Sequence, residues 1–222
     1  MPVTLFIADQ GHFLNQVCPD VDPWDFETLQ RKVIEIQRQF GADVFVRVLY
    51  GLNEPLSIHM GGLNVSQQTE SWEVHTEELH RGATTTWRSV IRTPDGTLTQ
   101  DFSRNENRPG TFVYACTRKP IKTPADLEIA IRHEPTMPES FRKNARDRLQ
   151  RIRAAVGESG IVGAWTPHGP FNNASLLVDH DVLYSLFLTD YDFYERLMNF
   201  AMNRILDYTL WCWWLKTRRR SI

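Results

Sequence analysis

The sequence predicts an α/β protein in which strands and helices alternate around a parallel sheet or barrel. Short apolar runs, each followed by polar residues, have the pattern of buried parallel strands. Amphipathic helical patterns lie between these runs. Residues 63–117 depart from the alternation, because apolar and polar residues there alternate with a period of two. We therefore expect βα units that carry an inserted region of antiparallel hairpins.

The first predicted elements are a strand, a helix and a second strand. Residues 3–8 (VTLFIA) are an apolar run before the polar DQGH, which indicates a buried strand. The helix that follows has Asp22 as its predicted N-cap, Pro23 at its first position and Gly41 as its stop. Residues 43–51 (DVFVRVLYG) form the second strand. The helix should bury an apolar stripe formed by Leu29, Val33, Ile36 and Phe40.

The predicted insertion at 63–117 consists of antiparallel hairpins. Its clearest turn is the Pro-Asp-Gly sequence at 94–96, which lies between two alternating runs. Trp72 and Trp87 lie in this region, and we expect them to pack the hairpins rather than stack on a ligand.

Three helices and one strand are predicted after the insertion. Thr123 is the expected N-cap of the first helix, with Pro124 at its first helical position. Residues 138–157 form the second helix, and residues 160–166 (GIVGAWT) form the third strand of the chain. A further helix covers residues 189–209. The apolar stripes of the last two helices are Phe141, Ala145, Leu149, Ile152 and Val156, and then Tyr194, Leu197, Ala201, Ile205 and Tyr208.

Charge and cysteine content limit the class of protein. The 25 Lys and Arg residues nearly balance 27 Asp and Glu, and the net charge of −2 implies no general attraction to nucleic acid or to a membrane. Three widely spaced cysteines favour a reduced compartment over a disulfide framework. No run approaches the roughly 18 apolar residues of a membrane span. We therefore expect a cytoplasmic protein.

Polar residues cluster where the predicted strands end. In a βα barrel the substrate-binding groups lie at the carboxyl ends of the strands, so clusters that follow different strands share one rim. No glycine-rich phosphate loop, nucleophile elbow, H-E-x-x-H or C-x-x-C motif is present, so no catalytic residue and no metal ligand is assigned. The predicted substrate-binding residues are Asp9, Gln10, His12, His168, Asn172 and Asn173, and Tyr50 and Asn53 would share their rim.

Each cluster also has a purely structural interpretation. The GPFNN sequence at 169–173 is ordinary turn chemistry and fits a helix start equally well. His12 is followed by Phe and Leu and would then be a buried histidine with its own hydrogen bonds. Four further histidines are expected to be structural or solvated: His59, His75, His80 and His133.

Five segments of the chain resemble parts of one enzyme family. They are PVTLFIADQGHFL (2–14), IRTPDGTLTQ (91–100), KPIKTPADLE (119–128), GPFNNASLL (169–177) and LFLTDYDFYERLMNFAMNRILDYT (186–209). In this order they resemble the first half of the uroporphyrinogen decarboxylase superfamily, which includes the decarboxylase of haem biosynthesis and corrinoid- and zinc-dependent methyltransferases acting on thiols such as coenzyme M. The resemblance implies a cytoplasmic (β/α)₈ TIM barrel. Residues 1–209 would supply about the first three βα units, with 63–117 inserted.

Within that family, the chain is more similar to the methyltransferase-like branch than to true decarboxylases. The decarboxylases carry an RQAGRY-like stretch whose two arginines grip substrate carboxylates, whereas residues 8–13 read ADQGHF. Asp9 and His12 cannot form that bidentate clamp. The resemblance implies methyl transfer on a small thiol or methyl-donor substrate, with zinc and a corrinoid partner protein that belong to a full-length protein rather than to this chain. Decarboxylation in porphyrin biosynthesis is the alternative.

Residues 210–222 (LWCWWLKTRRRSI) depart from the pattern, since three tryptophans within four residues precede an arginine run. We interpret this segment as a frameshift or truncation; the alternative is a Trp-rich amphipathic end that binds a membrane surface or a partner. A chain with about three of the eight barrel strands should be inactive alone and should self-associate through uncovered apolar strand faces. The other hypothesis is a non-catalytic fragment that pairs its open sheet edge with a partner.

Overall fold

The computed structural model describes residues 12–22, 25–48, 62–108, 111–164 and 169–213. The predicted strand at 3–8 lies outside these residues, as do the ends of the two other predicted parallel strands. Across the described ranges, every helix is too short or too polar to serve as a bilayer-crossing segment. In chain order the elements are α1 (His12–Val17), α2 (Phe26–Gln39), β1 (Val44–Val48), β2 (Glu73–His80), β3 (Thr84–Thr93), β4 (Gly96–Arg108), β5 (Thr111–Arg118), α3 (Pro124–His133), α4 (Glu139–Val156), β6 (Gly160–Ala164), α5 (Pro170–Leu177), α6 (His180–Thr189) and α7 (Tyr191–Trp213).

β1 and β6 form a parallel sheet. Their residues pair in register from Val44 opposite Gly160 to Val48 opposite Ala164. The prediction of parallel strands separated by helices is therefore confirmed for these two strands. Among the described residues this sheet has two strands and does not close, so the partial (β/α)₈ barrel is not confirmed.

Helices α2 and α4 cover one face of the parallel sheet. The alternation of a strand places Val44, Val46 and Val48 on the covered face, where all three are buried. On the opposite face Ile161 is 67% exposed. We call the cluster on the covered face the first core. It consists of Leu14, Phe26, Leu29, Val33, Ile34, Val44, Val46, Val48, Ala145, Ile152, Val156 and Tyr208.

Two buried glutamines of α2 bind the backbone of β1. The Gln37 side chain accepts a hydrogen bond from the Phe45 N–H (2.8 Å) and donates one to the Phe45 carbonyl (3.2 Å). Gln30 Nε2 donates to the Arg47 carbonyl at 2.8 Å. Alternate residues of a strand direct their backbone polar groups to opposite edges, so these amides occupy the edge of β1 that faces away from β6. The sequence predicted an open sheet edge. Part of the edge of β1 is instead hydrogen-bonded to side chains of α2.

The inserted region folds as a four-stranded antiparallel sheet in the order β2-β3-β4-β5. Thr93 pairs with Gly96 across the predicted Pro-Asp-Gly turn, which confirms the hairpin. Trp72 is fully buried and its Nε1 donates to the Asn64 carbonyl at 2.7 Å, so it packs the insertion as predicted.

Helices α3, α5, α6 and α7 form a second core with the antiparallel sheet. The capping box at Thr123 and Asp126 starts α3 as predicted, with Pro124 in its first turn. We call the cluster that these helices share with the sheet the second core. Its buried residues are Leu63, Trp72, Ile91, Leu98, Ile121, Leu127, Ala130, Ala174, Leu177, Val178, Leu183, Leu186, Phe193, Leu197, Phe200 and Ala201.

The predicted boundaries of two helices were wrong. α2 begins at Phe26, because Asp25 is the N-cap and its carboxylate accepts hydrogen bonds from the Thr28 N–H (3.1 Å) and hydroxyl (2.6 Å). Phe40, which was predicted to lie on the buried stripe, follows the helix and is 71% exposed. α7 continues without interruption past the predicted end at 209, to Trp213.

Candidate functional site

The carboxyl ends of β1 and β6 mark the position of the predicted site. Val48 and Ala164 are paired, so the described ends of the two strands are adjacent. His12 is the first residue of α1. The predicted residues Asp9, Gln10, Tyr50, Asn53 and His168 lie outside the described residues.

Asn172 and Asn173 lie in the first turn of α5, whose first residue is Pro170. The GPFNN sequence is therefore a helix start, as its structural interpretation predicted. Asn172 is exposed, whereas Asn173 is buried. Oδ1 of Asn173 accepts a hydrogen bond from Arg204 Nη1 at 2.7 Å. The two neighbouring amides thus differ, since the Asn172 side chain faces solvent and that of Asn173 is held by a buried guanidinium.

Arg204 of α7 is the centre of a buried polar cluster. Its Nη2 donates to the Gly62 carbonyl at 2.5 Å and to Glu134 Oε1 at 3.1 Å. Its Nε lies 2.9 Å from Glu134 Oε2, which is an ion-pair distance although the N–H is not aligned for a hydrogen bond. The side chains of Arg204 and Glu134 are only 6% and 5% exposed. The guanidinium therefore joins α7, α5, the end of α3 and the chain segment before the antiparallel sheet.

Glu134 requires this partner because of its position. It follows the last residue of α3, where the helix dipole disfavours a negative charge. Burial raises the pKa of the Glu134 carboxyl, and the charge of Arg204 opposes that rise. The Asn64 N–H also donates to Glu134 Oε1 at 2.7 Å. A buried carboxylate at a helix end is thus compensated by a guanidinium and a backbone amide.

The segment from Gly62 to Asn64 is fixed between this cluster and the antiparallel sheet. Gln100 of β4 accepts a hydrogen bond from the Leu63 N–H at 2.7 Å and donates to the Leu63 carbonyl at 3.2 Å. Gly62 has a φ of +109°, and a Cβ there would lie 2.3 Å from Gln100 Oε1. Only glycine fits this position without displacing the glutamine.

Sequence reasoning missed both Arg204 and Glu134. The predicted stripe of α7 contained Ile205, which is only half-buried, and omitted Arg204. Arg204 lies seven residues after Leu197 and three after Ala201, on the buried face of the helix. An arginine at a core position of an amphipathic helix is the sequence signal that could have revealed a buried ion pair.

Three histidines and one cysteine of the described residues lie outside the buried polar cluster and differ in their surroundings. His133 was predicted to be solvated, but its Nε2 lies 2.8 Å from Asp95 Oδ2, because the turn after β3 packs against the end of α3. His75 and His80 are exposed as predicted. Burial raises the pKa of the Cys116 thiol to about 11, so it is protonated at neutral pH.

The described surface includes a small depression. The depression, with a volume of about 140 Å³, lies between α3 and the start of α7, and Arg196 and Glu128 form an ion pair in its wall. In the described ranges no three His, Cys, Asp or Glu side chains converge on one point. Comparison of the chain with protein-family models, with curated proteins and with solved structures gives no match.

Proposed function

We propose that the chain is the substrate-binding part of an enzyme related to the uroporphyrinogen decarboxylase superfamily, in its methyltransferase-like branch. The observation that carries this proposal is the parallel pair β1–β6, whose carboxyl ends are adjacent. Two of the three predicted polar clusters follow these ends in the sequence: Tyr50 and Asn53 after β1, and His168, Asn172 and Asn173 after β6. In parallel α/β sheets the ligand site lies outside the carboxyl ends of the strands, which supports a shared site here.

The proposed substrate is a small thiol or methyl donor rather than a porphyrinogen. Asn172 is exposed at the start of α5 and can donate and accept hydrogen bonds without carrying a charge. Neutral amides suit a small polar ligand, whereas several carboxylates require cationic partners such as paired arginines. The stretch 8–13 contains no arginine, which also argues against a multiply carboxylated substrate.

In this proposal Asn173 and Arg204 position the site rather than contact the substrate. Their hydrogen bond ties the first turn of α5 to α7, so the backbone that carries Asn172 is held in place. The zinc and corrinoid of the methyltransferase branch would supply an activated thiolate and the methyl group. No described residue is assigned to either group.

The proposal is tested by calorimetric titration of the chain with coenzyme M and, separately, with uroporphyrin. We expect coenzyme M to bind and uroporphyrin not to bind. Asn172→Ala should weaken coenzyme M binding by roughly fivefold, which corresponds to the loss of about 1 kcal/mol for one hydrogen bond. Asn203→Ala is the matched control, because Asn203 is also an exposed asparagine but lies on α7. Its affinity should equal that of the unmodified chain.

Two other outcomes would contradict the proposal and separate its alternatives. Binding of uroporphyrin in preference to the thiol would support the decarboxylase of porphyrin biosynthesis. Binding of neither compound would support a non-catalytic fragment.

One observation favours the non-catalytic alternative, namely the exposure of β6. Ile161 is 67% exposed on the face of the sheet opposite α2 and α4. A partner strand beside β6 would continue the sheet and place one of its own side chains next to Ile161 on this face. The alternative predicts that Ile161→Ser abolishes capture of such a partner, whereas the enzyme proposal makes no such prediction.

A further inference from the structure

Helix α6 and the start of α7 carry a continuous exposed apolar surface. Tyr184, Phe187, Leu188 and Tyr191 are each between 54 and 84% exposed. The ring centroid of Phe187 lies 5.8 Å from that of Tyr191 and 5.4 Å from that of Tyr194. Single exposed apolar side chains are normal, but a contiguous group with aromatic rings marks an interaction site. We call these five residues the aromatic surface.

The stretch that carries the aromatic surface, residues 179–195, is acidic. Residues 179–195 contain no lysine or arginine. Their carboxylates are all exposed: Asp179, Asp181, Asp190, Asp192 and Glu195. An apolar surface framed by negative charge is complementary to a partner that combines apolar or aromatic residues with positive charge.

The chain itself contains a segment with this chemistry. Residues 210–222 (LWCWWLKTRRRSI) include three tryptophans, followed by Lys216 and three consecutive arginines. Tryptophan and arginine are the residues that contribute most often to binding hot spots, and guanidinium groups also bind the faces of aromatic rings. We propose that the aromatic surface binds segment 210–222 of a second copy of this chain. This proposal is independent of the proposed enzymatic function.

α7 separates the two parts within one chain. Its 23 residues extend over about 34 Å, with Tyr191 at one end and Trp213 at the other. Along α7 the backbone of Trp213 lies about 28 Å from that of Tyr194, the member of the aromatic surface nearest to it on this helix. Residues 214–220 can span at most about 25 Å even when fully extended. Binding within one chain would therefore require a nearly straight return of the segment along α7, a constraint that a second copy does not have.

This contact between copies can form two kinds of assembly. Two chains that exchange their segments mutually form a closed dimer, whereas one-way binding produces an open series of chains. Because the contact combines apolar burial with opposite charges, it should weaken when salt is added but should not disappear.

The test is sedimentation velocity of the full chain over a range of concentrations and salt. A tail variant carries Arg218→Glu, Arg219→Glu and Arg220→Glu, and a surface variant carries Asp192→Lys and Glu195→Lys. Each variant alone should raise the dissociation constant by about tenfold or more, because like charges then face each other. An equimolar mixture of the two variants should associate again, since the acidic tail of one fits the basic surface of the other.

Two further variants distinguish this contact from nonspecific hydrophobic association. Leu188→Ser should weaken association, because Leu188 belongs to the aromatic surface. Phe40→Ser is the matched control, because Phe40 is 71% exposed but lies at the end of α2. Far-UV circular dichroism establishes that each variant keeps its fold.

Three results would overturn the proposal. The first is a monomer at every concentration. The second is association that the tail variant leaves unchanged, or that Phe40→Ser weakens as much as Leu188→Ser. The third is a monomeric chain that binds vesicles of anionic phospholipid through the arginine run, which would instead assign the segment to a membrane surface.

Discussion

At the scale of single residues, the ion pair of Arg204 and Glu134 has the largest expected effect on stability. Both side chains are almost inaccessible, so removal of one leaves the other as a buried, unpaired charge. Arg204 also holds the Gly62 carbonyl and Asn173. We predict that Arg204→Ala lowers the free energy of unfolding by about 3–5 kcal/mol, measured by urea denaturation.

A surface ion pair of the same residue types provides the control. Arg196 pairs with Glu128, and its side chain is half exposed. Arg196→Ala should cost less than about 1 kcal/mol. If Arg204→Ala costs no more than Arg196→Ala, the buried cluster does not stabilise the fold in the way we describe.

At the scale of elements, a salt bridge between α2 and α4 should make stability depend on pH. Arg151 donates two hydrogen bonds to Glu27, at 3.0 and 2.7 Å. These bonds lower the pKa of the Glu27 carboxyl from 4.5 to about 2. The unfolded chain therefore binds the proton more readily, and the stabilisation is complete above pH 4.5 and is lost as the pH falls toward 2.

The expected difference is small, because Arg151 is half exposed and water screens the pair. Glu27→Gln should lower the free energy of unfolding by less than about 1 kcal/mol at pH 7 and have little effect near pH 2, in urea titrations at both pH values. Glu35→Gln is the control, since the pair of Glu35 with Lys32 lies within α2 and does not join α2 to α4. An equal loss in both variants would exclude a specific contribution of the α2–α4 bridge.

The elements also differ in how far the sequence could predict them. The hairpin at 94–96 and the start of α3 follow local rules, since a two-residue turn and a capping box depend on neighbouring residues alone. The start of α2 was misplaced because Asp22 and Asp25 are both acceptable N-caps, and only the hydrogen bonds to Thr28 select Asp25. The glutamines that bind β1 were missed because a polar residue on a helix gives no sign of its strand partner.

For the candidate site, the sequence predicted which strand ends lie together. It did not predict the buried cluster of Arg204, Glu134 and Asn173 that holds α5 in place. The pairing of β1 with β6 brings the two predicted ends together, as the alternation of strands and helices implied. The link from Asn173 to Arg204 crosses 31 residues of sequence, and that from Glu134 to Arg204 crosses 70. Neither pair obeys a helical or strand period, so no local pattern could have predicted them.

At the scale of the whole molecule, α7 connects the two cores. It contributes Tyr208 to the first core and Leu197, Phe200 and Ala201 to the second. Asp207 strengthens the connection, because its carboxylate accepts a hydrogen bond from the Met137 N–H at 2.9 Å and pairs with Arg142 of α4. A rigid helix shared by both cores should make them unfold together rather than in sequence.

This coupling can be measured by native-state hydrogen exchange of the full chain, followed in peptides from β1 and β3. Leu197→Ala should lower the free energy of unfolding by about 2–5 kcal/mol, because it opens a cavity in the second core. If the cores are coupled through α7, the slowest amides of β1 in the first core should lose the same amount of protection as those of β3. Met202→Ala, at an exposed position of the same helix, should leave both unchanged. A loss confined to β3 would mean that the cores unfold separately, and that α7 can detach from the second core while its final turns still hold the first.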